Sequence, residues 1–324
     1  MLLSICIPSY NRGKRALDNV QNLLQISFYD EIEIIVSNNG SNLDLDEYHQ
    51  IRDIGDDRVK YYEFERNMHY TGNLNKVIKM STGRFCLILS DEDSLNIENI
   101  GKYMGFLLLY DKTAVAKASV EKWSPYDALQ KYRKGLEAIN EYYMYGNYVS
   151  GLILNRTVIS NKVIEFYEAN FSPKTNSAYY YYPHMMYETH AMLCGDFLTI
   201  GIPLITPGSE DSETDETAKP MVYGTADQRL AQMKGFFDQI EQFHLNNKTI
   251  ESTMVKKVID KTSFLIPLQK SKYLSDAVDW GELVYQVKEE MCEIIRNANI
   301  DVIQKDIKSY ERYALSSCDE MLDT

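Results

Sequence analysis

Residues Gly83–Leu95 read GRFCLILSDEDSL. Phe85–Leu89 is an unbroken apolar run, of the kind that a parallel sheet buries on both faces. It stops at Ser90-Asp91-Glu92-Asp93, which places three acids at the carboxyl end of the strand. Ligands of open α/β sheets gather at that edge. Adjacent carboxylates repel one another, so something cationic should hold them together. A hard divalent ion, Mg²⁺ or Mn²⁺, sharing oxygen ligands with a phosphate suits such a set. The bland alternative is that Asp93 or Ser94 caps the helix that begins near Asn96. A cap employs one acid and leaves two over.

On the amino-terminal side, Leu2–Ile7 reads as a buried first strand bounded by Pro8. The turn-rich loop Pro8–Gly13 follows, then a helix with Leu17, Val20, Leu23 and Leu24 on one face. Glu33–Val36 is the next strand and closes on Ser37-Asn38-Asn39-Gly40-Ser41. Asn39-Gly40 is a hairpin signal, but a polar loop and a helix over Leu45–Ile54 come next, so the unit reads strand–loop–helix. Val59–Phe64 is a third strand and Thr71–Met80 a helix. The alternation implies an α/β fold with a doubly wound parallel sheet and right-handed crossovers.

After Leu95 the periodicity is helical to about Tyr110. Val115–Val120 reads as a strand, Pro125–Tyr145 as helical or mixed, and Tyr148–Leu154 as a strand. Val158–Asn170 and Tyr182–Leu193 read as helices, Phe197–Ile205 as a strand. Ser209–Thr217 carries only acidic charge and is expected to be a solvated, mobile loop. From Ala226 the pattern is helix after helix, broken at Pro267. We therefore expect a domain over 1–222, with halves 1–95 and 96–222, and a helical region over 223–324. The apolar faces of those helices must pack on the first domain or join copies into a homo-oligomer.

Composition narrows the class. The chain has 324 residues, 44% hydrophobic and 25% charged, an ordinary globular balance. A formal net charge of -13 argues against nucleic acid as a partner, since phosphate contacts need clustered Lys and Arg. No apolar run approaches ~20 residues, so no transmembrane segment is expected. The charges of the first residues follow the apolar stretch, the reverse of a signal peptide. Cys6, Cys86, Cys194, Cys292 and Cys318 form no C-x-x-C pair and read as reduced thiols of a cytoplasmic protein. Neither G-x-G-x-x-G nor G-x-x-x-x-G-K-[ST] occurs.

In order and spacing, Ser4–Arg12, Glu33–Ser41, Asn67, Gly72-Asn73-Leu74-Asn75, Gly83 and Asp91-Glu92-Asp93 together resemble the inverting glycosyltransferases of the GT-A fold, the large second sequence family. Tyr148–Pro207 is similar to bacterial transferases that build surface polysaccharides, abequosyltransferase-like enzymes among them. The resemblance implies a GT-A-like, doubly wound mixed, mostly parallel sheet; the C-terminal helical appendage lies outside it. It implies transfer of a sugar, with inversion, from a nucleotide-sugar donor, UDP-linked by preference. The acceptor would be a hydroxyl of a glycan, glycolipid or glycoprotein, placing the enzyme in the cytoplasm or at the inner face of the membrane.

Residue by residue, Pro8, Ser9 and Tyr10 would line the base and Arg12 would lie near the phosphates. Asn38 occupies the place where the family offers an Asp to the base; its amide carries a donor and an acceptor for a pyrimidine edge. Asn73 would join the nucleotide-sugar site. Asp91-Glu92-Asp93 would be the DXD-type motif, with Asp91 near the ribose and Asp93 on the metal, shared with Asp91; Glu92 is the alternative ligand. The acceptor hydroxyl must lose its proton as it attacks, which calls for a base. The counterpart segment is Tyr182–Glu188, where the family's Glu-Asp pair is absent. His184 and Glu188, four residues apart on one helical face, are the two candidates; with His190 they lack the H-E-x-x-H order of a zinc site. The competing reading is a non-catalytic subunit of the same fold that binds nucleotide or glycan, or partners an active transferase. A nucleotidyltransferase would show a glycine-rich, basic loop after the first strand, which Pro8–Gly13 does not resemble.

Overall fold

The structure is a computed structural model. It describes the chain except for residues 28, 122–127, 147, 209–223, 266–279 and 323–324. Strand β1 (Leu3–Ser9) lies between β2 (Ile32–Asn38) and β4 (Phe85–Ile88), parallel to both, and β2 carries β3 (Val59–Glu63) at the edge, also parallel. The strand does not stop at Pro8. Pro8 pairs with Ser37 inside β1, but it lies beyond the last β1–β4 pair, Cys6 with Ile88, so the ladder on that side asks nothing of its missing N–H.

Between these strands run α1 (Gly13–Leu23), α2 (Leu45–Arg52) and α3 (His69–Met80). Odd-numbered β1 residues Ile5 and Ile7 share a core with Ala16, Leu17 and Val20 of α1. Cys6 turns to the other face, where its thiol meets the Val77 carbonyl of α3. This two-sided cover is why the central strands read as continuous apolar runs.

Beyond β4 the sheet becomes mixed. β4 pairs antiparallel with β8 (Leu152–Asn155), β8 antiparallel with β6 (Thr113–Val120), and β6 parallel with β9 (Asp196–Thr206). Two short strands, β5 (Ser94–Leu95) and β7 (Gln130–Tyr132), add to β9 in antiparallel fashion. Along this stretch of chain run helices α4 (Ile97–Leu109), α5 (Leu136–Tyr142), α6 (Asn161–Asn170), α7 (Ser177–Tyr181) and α8 (Pro183–Cys194). The expected strand Tyr148–Leu154 is shorter than its composition suggests. Gly151 has a φ of +82°, and a β-carbon there would come within 2.9 Å of the Ala118 methyl, so residues up to Gly151 turn rather than extend. The expected helix Tyr182–Leu193 begins at Pro183, a favoured first helical residue. The acidic stretch Ser209–Thr217 and Pro267 lie outside the described residues.

The chain forms two compact units. One comprises Met1–Ala138, Asn147–Asn170 and Pro183–Glu210; the other comprises Ile139–Gly146, Phe171–Tyr182 and Asp211–Thr324. The helical unit thus borrows two segments from the middle of the sequence, while the expected boundary at 222 falls among residues not described. Its helices are α9 (Ala226–Phe243), α10 (Lys248–Leu265), α11 (Trp280–Asn297), α12 (Asp301–Lys305) and α13 (Ile307–Leu322). Their apolar faces pack on one another: α10 lies against α9 and α13, and α13 against α11. Tyr313 and Ser317 both donate to Asp260, fixing the register of α13 on α10. No helix among the described residues is long and apolar enough to cross a membrane, and all five cysteines are free thiols.

Candidate functional site

The carboxyl ends of β1, β2 and β4 meet at the three acids. Asp91 and Asp93 are buried, at 4% and 7% exposure, yet neither ties off the following helix. The N-cap of α4 is Asn96, whose side chain accepts from the Glu98 N–H, so the capping alternative for Asp93 or Ser94 fails. Instead each carboxylate faces its own set of donors.

Asp91 takes the Ser9 hydroxyl at 2.7 Å on one oxygen and the Arg12 guanidinium at 3.2 Å on the other. Ser9 Oγ also lies 2.6 Å from the Tyr48 hydroxyl. Since Ser9 gives its hydrogen to Asp91, Tyr48 must donate to Ser9, and Tyr48 in turn accepts the Arg12 N–H at 3.2 Å. Burial pushes the Asp91 carboxyl above the usual aspartate range, against the pull of Arg12 and Ser9. The same Arg12 nitrogen reaches Glu92 at 2.7 Å. The cation that these neighbouring acids demand is therefore supplied, for Asp91 and Glu92, by Arg12 of the first loop. The sequence reading placed Arg12 toward phosphates; in the structure it lies on the acids.

Asp93 is held separately. The Ser150 hydroxyl donates to one carboxylate oxygen at 2.5 Å, and the Gly208 N–H to the other at 3.1 Å. Ser150 also accepts the Ser90 N–H at 2.9 Å, so one hydroxyl ties the end of β4 to its acid. Gly208 can approach only because it lacks a side chain: a β-carbon there would stand 1.8 Å from the Glu92 carbonyl oxygen. From beneath, the Asn19 amide on α1 donates to the main-chain oxygens of both Asp91 and Asp93.

The remaining expected nucleotide residues surround this centre. Pro8 and Tyr10 are partly exposed at the sheet edge. Asn73 donates to the Ser9 carbonyl at 3.2 Å, and its own buried carbonyl oxygen has no partner among the described residues. Asn38 is fully buried with both ends of its amide engaged: the oxygen accepts the Ser41 N–H at 3.0 Å and the nitrogen donates to the Tyr61 hydroxyl at 3.1 Å. Its neighbour Asn39 binds Asn67, Met68 and His69, joining the loop after β2 to the start of α3.

On α8, His184 and Glu188 are both buried. The His184 ring lies edge-on to Tyr70, with Nδ1 3.4 Å from the Tyr70 hydroxyl, at the amino end of α3 and so at the carboxyl edge of the sheet. Glu188, one turn further along, pairs with Lys117 of β6 at 3.3 Å. Burial raises the Glu188 carboxyl above the usual glutamate range, partly offset by Lys117. Lys117 also donates to the Tyr148 carbonyl at 3.2 Å.

The acids present only hard oxygen donors; the Asp93 carboxylate accepts from Ser150 and Gly208, and the Tyr148 hydroxyl interacts with the same group. Among the described residues no three His, Cys, Asp or Glu side chains form a ready-made cage. The set fits a cation that takes one or two carboxylates from protein and completes its shell from a phosphate.

The mixed, mostly parallel α/β sheet, with strand-end acids tied to the first-strand loop, is a GT-A-like fold. The chain belongs to glycosyl transferase family 2, whose model matches residues 4–169. A Campylobacter jejuni protein, GalNAc(5)-diNAcBac-PP-undecaprenol beta-1,3-glucosyltransferase, is 32% identical over 100 residues, which is 29% of this chain and 30% of that one. The chain thus spans under a third of that relative's length. Among solved structures, S. aureus TarS in complex with UDP-GlcNAc aligns with 99% of this chain and 89% of its own, at a TM-score of 0.70 and 15% identity. The mannosyltransferase PcManGT from Pyrobaculum calidifontis, in complex with GDP-Man and Mn2+, aligns with 99% of this chain and 86% of its own, at 0.53 and 9%. At such identities the likeness is one of fold.

Proposed function

We propose that the enzyme transfers one sugar, with inversion, from a UDP-linked donor to a hydroxyl of a glycan or lipid-linked glycan, assisted by Mn²⁺ or Mg²⁺. The carrying observation is the separate fixing of Asp93 by Ser150 and Gly208, beside an Asp91 tied to Ser9 and Arg12. Asp93, with Asp91 or Glu92, would hold the cation. When bound, that cation stabilises the charge that grows on the departing diphosphate. Pro8, Ser9, Tyr10 and Asn73 would hold the nucleotide and sugar, while Asn38 shapes the base-binding loop through its bonds to Ser41 and Tyr61.

His184 is our choice for the base that takes the acceptor proton, because Tyr70 sets it at the rim where the acids lie. Glu188 and Lys117 then form a buried pair one turn below it. The UDP preference draws on the TarS complex with UDP-GlcNAc, and the lipid-linked acceptor on the undecaprenol in the name of the C. jejuni relative. Work on a lipid-linked acceptor would bring the enzyme to the inner face of the membrane as a peripheral protein. The test is to incubate purified protein with individual nucleotide sugars and Mn²⁺. We expect release of nucleoside diphosphate that vanishes in Asp93→Ala. Failure of every donor to bind or turn over defeats the proposal.

A further inference from the structure

Arg12 is the basic group that contacts Asp91 and Glu92 in the structure, at 3.2 and 2.7 Å from one guanidinium nitrogen. Its side chain is 30% exposed, so it can swing, whereas Asp91 is 4% exposed and pinned by Ser9. A guanidinium and a divalent cation compete for the same carboxylate charge. A diphosphate, however, is a better partner for a guanidinium than a single carboxylate edge, because it offers more oxygens in the fork geometry that Arg prefers.

We infer that Arg12 is an exchangeable counter-charge: it holds Asp91 and Glu92 against cation binding until the donor diphosphate draws it away, so that cation and donor bind together rather than in sequence. Arg12 is seated for such a move. It precedes α1, where its main-chain N–H is bonded to Tyr48, so the backbone stays fixed while the side chain changes partner. Asp93, bound to Ser150 and Gly208, takes no bond from Arg12 among those the structure gives it, and it keeps its place through the exchange. Binding of donor and of cation must then be coupled by one reciprocal factor, and Arg12 sets a large part of that factor.

The inference rests on the cation-assisted reading above, and one experiment separates the two. Mn²⁺ is titrated into the intact protein with and without saturating UDP, free Mn²⁺ being followed by electron paramagnetic resonance. Wild type should bind Mn²⁺ weakly alone and much more tightly with UDP. Arg12→Gln should bind Mn²⁺ alone about tenfold more tightly, the scale of removing one full charge at close range from a partly exposed site. The tightening by UDP should shrink by the same factor. Arg12→Lys keeps the charge and should bind Mn²⁺ alone as weakly as wild type, which also guards against a Gln variant that folds poorly. If wild type binds Mn²⁺ with UDP but Arg12→Gln alone binds it no more tightly, the inference falls and the cation reading stands. If wild type binds no Mn²⁺ even with UDP, both fall.

Discussion

Replacing Ser150 by Ala tests how Asp93 is held. The change removes the 2.5 Å bond to the carboxylate and leaves the Ser90 N–H without its acceptor. Ser150 is 3% exposed, so water cannot readily take its place. A hydrogen bond to a charged group contributes about 1.5 to 3 kcal/mol, and the orphaned N–H adds to the loss, so a destabilisation of about 3 kcal/mol is expected. For a unit of this size that lowers the melting temperature by roughly 6 °C or more. Asp93 would keep the Gly208 N–H and the Tyr148 hydroxyl. If Asp93 holds the cation as proposed, loss of the group that orients it should weaken metal affinity by about 10- to 100-fold. The assay pairs a thermal melt with a Mn²⁺ titration of donor hydrolysis. We expect the half-saturating Mn²⁺ to rise about tenfold, and Ser150→Thr, which keeps a hydroxyl, to recover much of it. A Ser150→Ala variant with the wild-type Mn²⁺ dependence would refute the reasoning, whatever its melting temperature, because it would mean that Asp93 needs no such support.

Further expectations follow from the same geometry. Gly208→Ala puts a methyl into the Glu92 carbonyl, so it should impair donor hydrolysis at least as severely as Ser150→Ala, read from initial rates at saturating donor. His184→Gln should abolish sugar transfer to acceptor while nucleotide binding, read by thermal shift with UDP and Mn²⁺, persists; loss of both would reassign it to binding. Burial pushes the Glu33 carboxyl up, but bonds from Lys60, Ser4 and Thr82 outweigh it and hold it below the usual glutamate range. Glu33→Gln should therefore destabilise by about 3 kcal/mol at neutral pH. Because the folded value is lowered, that deficit is full above the ordinary glutamate range and closes as pH falls through the lowered value; denaturant melts across pH 3–7 would detect it.

Much of the fold lay open in the sequence because it rests on local signals. The alternation of short apolar runs with helical periods gave the parallel core around β1, β2 and β4, and the run into Asp91-Glu92-Asp93 marked the carboxyl end of β4. What supports those acids was harder to read, since the partners lie far along the chain. Ser150 and Gly208 carry no pattern that sets them apart: their value comes from meeting Asp93 across 57 and 115 positions. Two buried polar side chains near the site did leave a trace. Asn19 is a polar residue on the buried face of α1, between Leu17, Val20 and Leu23, and Lys117 is a charge inside the otherwise uncharged strand Thr113–Val120. A buried polar group demands a partner, so both could have been singled out as tethers. Tyr48 could have been found as the neighbour of Ile51 on the inward face of α2. The borrowing of residues 139–146 and 171–182 by the helical unit has no sequence signature, because it is decided by packing.

The seat of Gly208 against Glu92 has a consequence for how the enzyme comes into being. During synthesis the acids emerge early, yet the last backbone group that locks Asp93 arrives only after β9 has been made and threaded beside β6. A ribosome-bound chain ending at residue 169, where the family match stops, would carry the acid motif with one of its restraints missing. The acid motif is thereby left without its full set of restraints until the sheet is complete.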